Sequence, residues 1–160
     1  MTTLSQSLIR LSMPGLAMLA LAAPVQTAAA PGATSPYYGR WTVAETRPVF
    51  TARGRLYKTI DVAPCGRDFC GVSVGDDGKC GAVLFRFLGG HAREDELHGH
   101  GKWGDQRKNV AIYRYDGETA GSNSFDLYVG DGYDFGERSG NMPKFHAEYR
   151  RTGGARCTAR

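Results

Sequence analysis

The chain predicts an all-β domain, a small antiparallel meander barrel of about eight strands. Three observations lead there. Short apolar segments alternate with polar residues at period two and are separated by turn residues, with no convincing helical repeat after the first thirty or so positions. Glycine is abundant, with 22 copies, apolar runs are short and aromatic residues are plentiful, a composition suited to strands joined by many turns. Four cysteines follow an export-like leader, and an even count in that setting reads as a disulfide framework.

The leader is residues 1–29. Arg10 precedes an apolar run from Gly15 to Val25 that has the length of a signal-peptide core and is too short to span a bilayer. Thr27, Ala28, Ala29 and Ala30 follow, and cleavage after Ala29 puts small residues at both positions the peptidase reads. The expected location is periplasmic or secreted, with no transmembrane segment after cleavage. Loss of the leader removes one base and no acid, so 19 Lys and Arg face 16 Asp and Glu, and the net charge goes from +4 to +3. That mild, dispersed excess argues against nucleic acid as a partner, and the basic stretch with Arg47, Arg53, Arg55 and Lys58 reads as a solvated hairpin. The remainder divides into a flexible tether at 30–36, one barrel domain at 37–157 and a short tail at 158–160.

The strands are expected in this order. Tyr38–Val43 comes first, then Leu56–Ala63 with Leu56, Ile60 and Val62 on one face. The Cys65-to-Cys70 turn leads into Phe69–Val74, and Asp76-Asp77-Gly78-Lys79 is an Asp-Gly turn. Gly81–Leu88 gathers Val83, Phe85 and Phe87 on one side. In Leu97–Trp103, Leu97, Gly99, Gly101 and Trp103 share one side and His98, His100 and Lys102 the other. Asn109–Tyr115, Ser124–Val129 and Lys144–Arg151 complete the set, the last two with the rows Phe125, Leu127, Val129 and Phe145, Ala147, Tyr149.

Evenly spaced antiparallel strands must close on themselves or pair as two sheets, because open edges invite aggregation. Eight is a number at which a closed barrel is either filled by side chains or holds one small ligand. A barrel of the lipocalin type is the preferred architecture and a β-sandwich of immunoglobulin type the alternative.

Gly39-Arg40-Trp41, followed by a strand entering Cys65-Gly66 and Phe69-Cys70-Gly71, resembles the bacterial secreted family catalogued as domain of unknown function 2147. The likeness runs from Gly39 to Gly71 and is weak beyond, where Gly99-His100-Gly101-Lys102-Trp103-Gly104 replaces the family's usual middle segment. Membership of a related branch fits the pattern as well as membership itself. The resemblance implies a lipocalin-like barrel and supplies no catalytic residues.

Four cysteines allow three pairings. Cys65 with Cys70 at a hairpin mouth and Cys80 with Cys157 across a long loop is the favoured one. A redox centre of thioredoxin type needs two residues between its cysteines and a helix N-terminus, and both are missing. His98 and His100 point to one side of their strand about 7 Å apart, from a rise of ~3.3–3.4 Å per residue. They could hold zinc if His91, His146 or Asp95 converged as a third ligand; alternation places them on the solvent face, where metal-free histidines are the plainer reading. Gly130-Asp131-Gly132-Tyr133-Asp134-Phe135-Gly136-Glu137 lacks the calcium-loop ligand order and reads as a glycine-rich connection. Tyr113, Tyr115, Tyr128 and Tyr133, with Trp41 and Trp103, are candidates to line a barrel interior, Trp41, Trp103, Tyr113 and Tyr128 foremost, with room left beside the tryptophans by Gly99 and Gly101; the same aromatics would serve equally as filler of a dry core.

No catalytic constellation stands out, and no cofactor is expected. The function expected is non-enzymatic binding of a small apolar ligand or envelope component. The alternatives are a structural or interaction module of the envelope, or a metal-binding protein using His98 and His100.

Overall fold

The structure is a computed structural model that describes residues 35–45, 50–114, 123–133 and 142–159. The expected leader at 1–29 and most of the tether lie outside the described residues, as do Tyr115 and positions 134–137 of the glycine-rich connection. Within the described residues the strands are β1 (Gly39–Val43), β2 (Thr59–Cys65), β3 (Asp68–Val74), β4 (Cys80–Phe87), β5 (Glu96–Trp103), β6 (Gln106–Tyr113), β7 (Ser124–Gly130) and β8 (Phe145–Gly153). They follow one another around a closed barrel, and β8 pairs back onto β1 with Val43 opposite Tyr149. All neighbouring pairs are antiparallel. Closure leaves no sandwich.

Tight turns set the register. Gly66 (φ +73°) and Gly104 (φ +63°) each take the first position of a two-residue loop, between Cys65↔Asp68 and Trp103↔Gln106. That is a left-handed conformation in which glycine carries no steric penalty, and its twist suits the flanking strands. Alternation then sends one row of each strand inward. Ile60 and Val62, Val110 and Ile112, and Phe125, Leu127 and Val129 are all buried in the main core.

Two expectations fail for local reasons. Leu56 does not extend β2: Gly54–Tyr57 is a 3-10 turn, with the Leu56 amide bonded to the Arg53 carbonyl. Leu56 is exposed and Tyr57 is the residue turned into the core. Val83 does not share a side with Phe85 and Phe87. Between Gly71 and Val72 β3 advances one residue while β4 advances from Phe85 to Val83, so Leu84 is an extra residue. That bulge sends Leu84 and Phe85 both into the main core and Val83 to a second cluster.

The second cluster lies outside the barrel. Val72, Val74 and Val83 face Cys157 and Ala159 of the segment after β8. Both disulfides of the favoured pairing are formed, Cys65–Cys70 and Cys80–Cys157, with no free cysteine among the described residues. Beneath this segment Asp61 is fully buried and satisfied. Arg40 donates to it from Nε and Nη2, both at 2.8 Å, and the amides of Arg156 and Cys157 donate at 2.8 and 2.7 Å. Ser35, within the expected tether, is buried and donates its hydroxyl to the Ala92 carbonyl at 2.6 Å.

Candidate functional site

Aromatic rings fill the interior. Tyr37, Phe69, Phe87 and Phe85 follow one another at centroid separations of 6.1, 5.4 and 5.4 Å. Trp41 lies 4.4 Å from Phe125, which stacks on Tyr149 at 5.3 Å. Trp41 Nε1 donates to the Tyr37 carbonyl at 2.7 Å, so its one polar atom is satisfied. The space expected beside Gly99 and Gly101 is occupied. A Cβ on Gly99 would lie 2.5 Å from the Phe87 ring, and one on Gly101 would lie 2.5 Å from Val110 Cγ2 and 2.6 Å from the Leu84 carbonyl oxygen. These glycines admit neighbouring side chains and backbone.

The four candidate lining residues part company. Trp41 and Trp103 point inward, whereas Tyr113 and Tyr128 are half-buried on the outer face. On β6 the inward row is Val110 and Ile112, which puts Ala111 and Tyr113 outside. Tyr128 stands opposite Ala111 and stacks on His146 at 4.1 Å, and Tyr113 meets Tyr128 edge-on at 5.6 Å.

Trp103 sits at one end of the barrel, where the strands leave space. Its ring is 5.9 Å from Tyr57 and 6.1 Å from Phe145, which in turn stacks on Phe50 at 6.4 Å. Trp103, Phe145 and Phe50, but not Tyr57, line an open pocket of about 400 Å³ that also carries Glu45, Thr51, Lys144 and His146. The chain folds this way because β5 ends at the Gly104 turn and β8 begins at Phe145, bringing two inward-facing aromatics to the same mouth. The Tyr57 hydroxyl donates to the Lys102 carbonyl and the Tyr149 hydroxyl to the Tyr57 carbonyl, fixing the floor from below. Burial pushes the phenols of Tyr57 and Tyr149 well above the usual range, so both stay neutral. The arrangement offers apolar ring faces to a ligand body and one charge of each sign to its polar end.

His98 and His100 are exposed on the outer face of β5, as alternation requires. His98 stacks on Tyr133 at 4.5 Å and lies 3.0 Å from Glu96, and the Tyr133 hydroxyl bonds the Gly99 carbonyl at 2.9 Å. The third ligands considered for zinc are engaged elsewhere. His91 pairs with Glu94 at 2.8 Å, His146 is 3.7 Å from Asp126, and Asp95 accepts from Arg114 Nε at 3.0 Å. Among the described residues no group of three metal-ligating side chains converges. In the glycine-rich connection Asp131 pairs with Lys108 and approaches Lys144; the hydrogen bond from Lys108, helped by both positive charges, holds its carboxyl below the usual range.

Sequence reading missed Tyr57, Phe50 and Lys144 at the mouth, and Asp61 with Arg40 beneath the tail. Tyr57 carried a signal, since it is the aromatic next to Leu56 in an apolar segment. Asp61 carried one too, an acid between Ile60 and Val62 that alternation makes outward-facing. Only the tail, 95 residues on at Arg156, buries it. No helix of the described residues is long and apolar enough to cross a membrane, and the two disulfides fit an extracellular or periplasmic protein. Compared with family models, curated proteins and solved structures, the chain matches none.

Proposed function

We propose that this protein is an exported, non-enzymatic barrel of the periplasm or cell exterior that binds a small apolar or amphipathic ligand, or an envelope component, at the mouth beside Trp103. One observation carries the reading: the 400 Å³ pocket floored by Trp103, Phe50 and Phe145, with Glu45 and Lys144 on its rim. Sites of this kind are concave, mostly apolar and edged by a few polar groups. The reading places the ligand at the mouth because the column below is occupied by Trp41, Phe125 and Tyr149. Kinship with the secreted family of domain of unknown function 2147, or with a branch beside it, is part of the proposal; it is supported by Gly39-Arg40-Trp41 at β1 and the Cys65–Cys70 hairpin.

The test titrates purified protein with 1-anilinonaphthalene-8-sulfonate and with envelope-lipid extract, in wild type and in Trp103→Ala. Saturable binding that weakens in the variant while Trp41 emission is unchanged supports the reading. No saturable binding by either probe removes it. A packed interior also favours a second reading, an interaction module whose outer face meets another envelope protein. Co-purification of a stoichiometric partner with no ligand binding would select it.

A further inference from the structure

Among the described residues one seam of the barrel is thinner than the rest. β4 and β5 are joined at two register positions, Phe85↔Gly101 and Arg86↔His100. Every other neighbouring pair is joined at four to eight. The cause lies in β4. Leu84 is one extra residue against β3, and the step from Val83 to Cys80 against Val72 to Val74 contains another. Bulges bend a strand and end its pairing. Within Cys80–Leu84, Val83 and Cys80 are in register with Val72 and Val74 of β3, none of the five is in register with β5, and the Leu84 carbonyl is the last β4 group lying against β5, at Gly101.

From the inner side the Tyr57 hydroxyl takes the Lys102 carbonyl, an acceptor of β5 beyond the end of the seam. On the outer side the seam widens into a groove of about 370 Å³, lined among others by Val83, Leu84, Arg86, Lys102, Asp105 and Arg107. Lys102 and Arg107 are exposed. Arg86 is drawn toward Asp68 at 3.4 Å, which leaves Lys102 and Arg107 as the principal cations of the groove, against the single carboxylate of Asp105.

We propose that this groove is a strand-addition site for an extended acidic segment of a partner protein, a site separate from the mouth and independent of the reading given to it. A strand edge with no neighbour presents a row of backbone donors and acceptors to another chain. Gly81 and Ala82, the residues of β4 just before the groove's Val83, are exposed and small, so β4 itself puts no bulky side chain in the path of an incoming backbone. Side chains of an added strand alternate between faces, and acidic residues at every second position turn toward Lys102 and Arg107. Charge complementarity selects the partner's sign and steers its approach. A free anion would answer the two cations but leave the β4 edge unpaired.

The experiment follows backbone amide shifts of ¹⁵N-labelled protein on addition of acetyl-(Glu-Val)₃-amide, of its Lys-Val counterpart and of inorganic phosphate. The expected result is a saturable response at Gly81–Leu84 and Lys102–Arg107 to the acidic peptide alone. It weakens about tenfold in Lys102→Glu/Arg107→Glu and, in wild type, falls as salt is raised to about 0.5 M. The salt series gives the charge test even if the double variant folds poorly. No saturable response up to about 1 mM peptide, an equal response to phosphate or to the basic peptide, or shifts confined to the mouth around Trp103 would overturn the proposal.

Discussion

The buried carboxylate of Asp61 accepts the backbone amide of Cys157 at 2.7 Å, and the same residue's sulfur is bonded to Cys80. Two independent pins thus hold the C-terminal segment over the outer face of β2, β3 and β4. Without the segment, Asp61 would stand on a solvated face and Val72, Val74 and Val83 would lose their cover. With it, the carboxylate must be fully paired, because a buried unpaired charge is far costlier than a solvated one. Asp61→Asn keeps the shape but removes the charge that answers Arg40. Loss of one partner of a buried pair costs up to ~3–5 kcal/mol, and the partial exposure of Arg40 lowers that here. The expected destabilisation is about 2–3 kcal/mol, read as a lower denaturation midpoint at unchanged slope.

The same carboxylate gives an acid limb to stability. Burial acts to raise its pKa, but the hydrogen bonds from Arg40 and from the amides of Arg156 and Cys157, with the attraction of the guanidinium, hold it below the usual value. A depressed folded-state pKa contributes stability that is present above the unfolded value of ~3.9 and is lost as pH falls through the folded one. Urea midpoints from neutral pH downward should show a decline below about pH 4 that is shallower in Asp61→Asn. An identical decline in the variant would assign the limb to other groups.

Tyr57 and Tyr149 act at the opposite end of the scale. Burial raises both phenols above the usual range, so their stabilising effect is complete below the unfolded value of ~10 and is lost as pH rises above it. Absorbance titration near 295 nm should leave these two un-ionised until the barrel unfolds. Tyr149→Phe removes the donor to the Tyr57 carbonyl and should lower stability by about 1 kcal/mol. Early, reversible ionisation of all tyrosines would contradict the placement of these rings.

The two disulfides differ in the chain they close, with sequence separations of 5 and 77. The chain-entropy relation gives about 2 kcal/mol for the short loop and about 4.5 kcal/mol for the long one. Serine replacement of Cys80 and Cys157 should therefore cost roughly twice what replacement of Cys65 and Cys70 costs, measured by denaturant unfolding of each double variant. Because Asp61 still binds the amides of Arg156 and Cys157, the Cys80/Cys157 variant should also lose most of its tail protection in amide exchange when Asp61→Asn is added. Equal losses for the two disulfides would mean that the unfolded chain is already restricted around Cys157.

The strand order and the turns at Cys65–Cys70 and Asp76–Lys79 were legible because each rests on local chemistry, alternation and glycine at a tight turn; three cysteine pairings stayed open, the one observed being the favoured one, because Cys80 and Cys157 are 77 residues apart. Sidedness was harder. On β6 both rows are apolar enough to face the core, Val110 and Ile112 on one side and Ala111 and Tyr113 on the other, so period two alone could not place Tyr113. On β4 the extra residue at Leu84 shifts the phase in mid-strand, and a bulge has no fixed residue signature. Leu56 and Tyr57 exchange roles because a 3-10 turn, set by the chain's path over the mouth, precedes β2. The mouth itself joins residues from Val43 to Ala147, and no local pattern connects those positions.

Gly71 shows how far the packing of the column constrains the backbone. A Cβ there would lie 2.1 Å from Phe85 Cζ, with two further ring atoms at 2.4 and 2.5 Å. Phe85 cannot retreat easily, because Phe87 stands edge-on to it at 5.4 Å and Phe87 is itself stacked on Phe69 at the same separation. Gly99 on β5 is closed by the Phe87 ring in the same way. Gly71→Ala should therefore destabilise by about 3 kcal/mol, the upper part of the usual overpacking range, although alanine is ordinarily the better residue in regular structure. Phe85→Leu alone leaves a cavity and should cost about 1–3 kcal/mol. Combined, the two changes should cost clearly less than their sum, since the shorter side chain vacates the space the new methyl needs. Denaturant unfolding of the two single variants and the double variant measures that coupling, and strict additivity would show that Gly71 is required for some reason other than the ring above it.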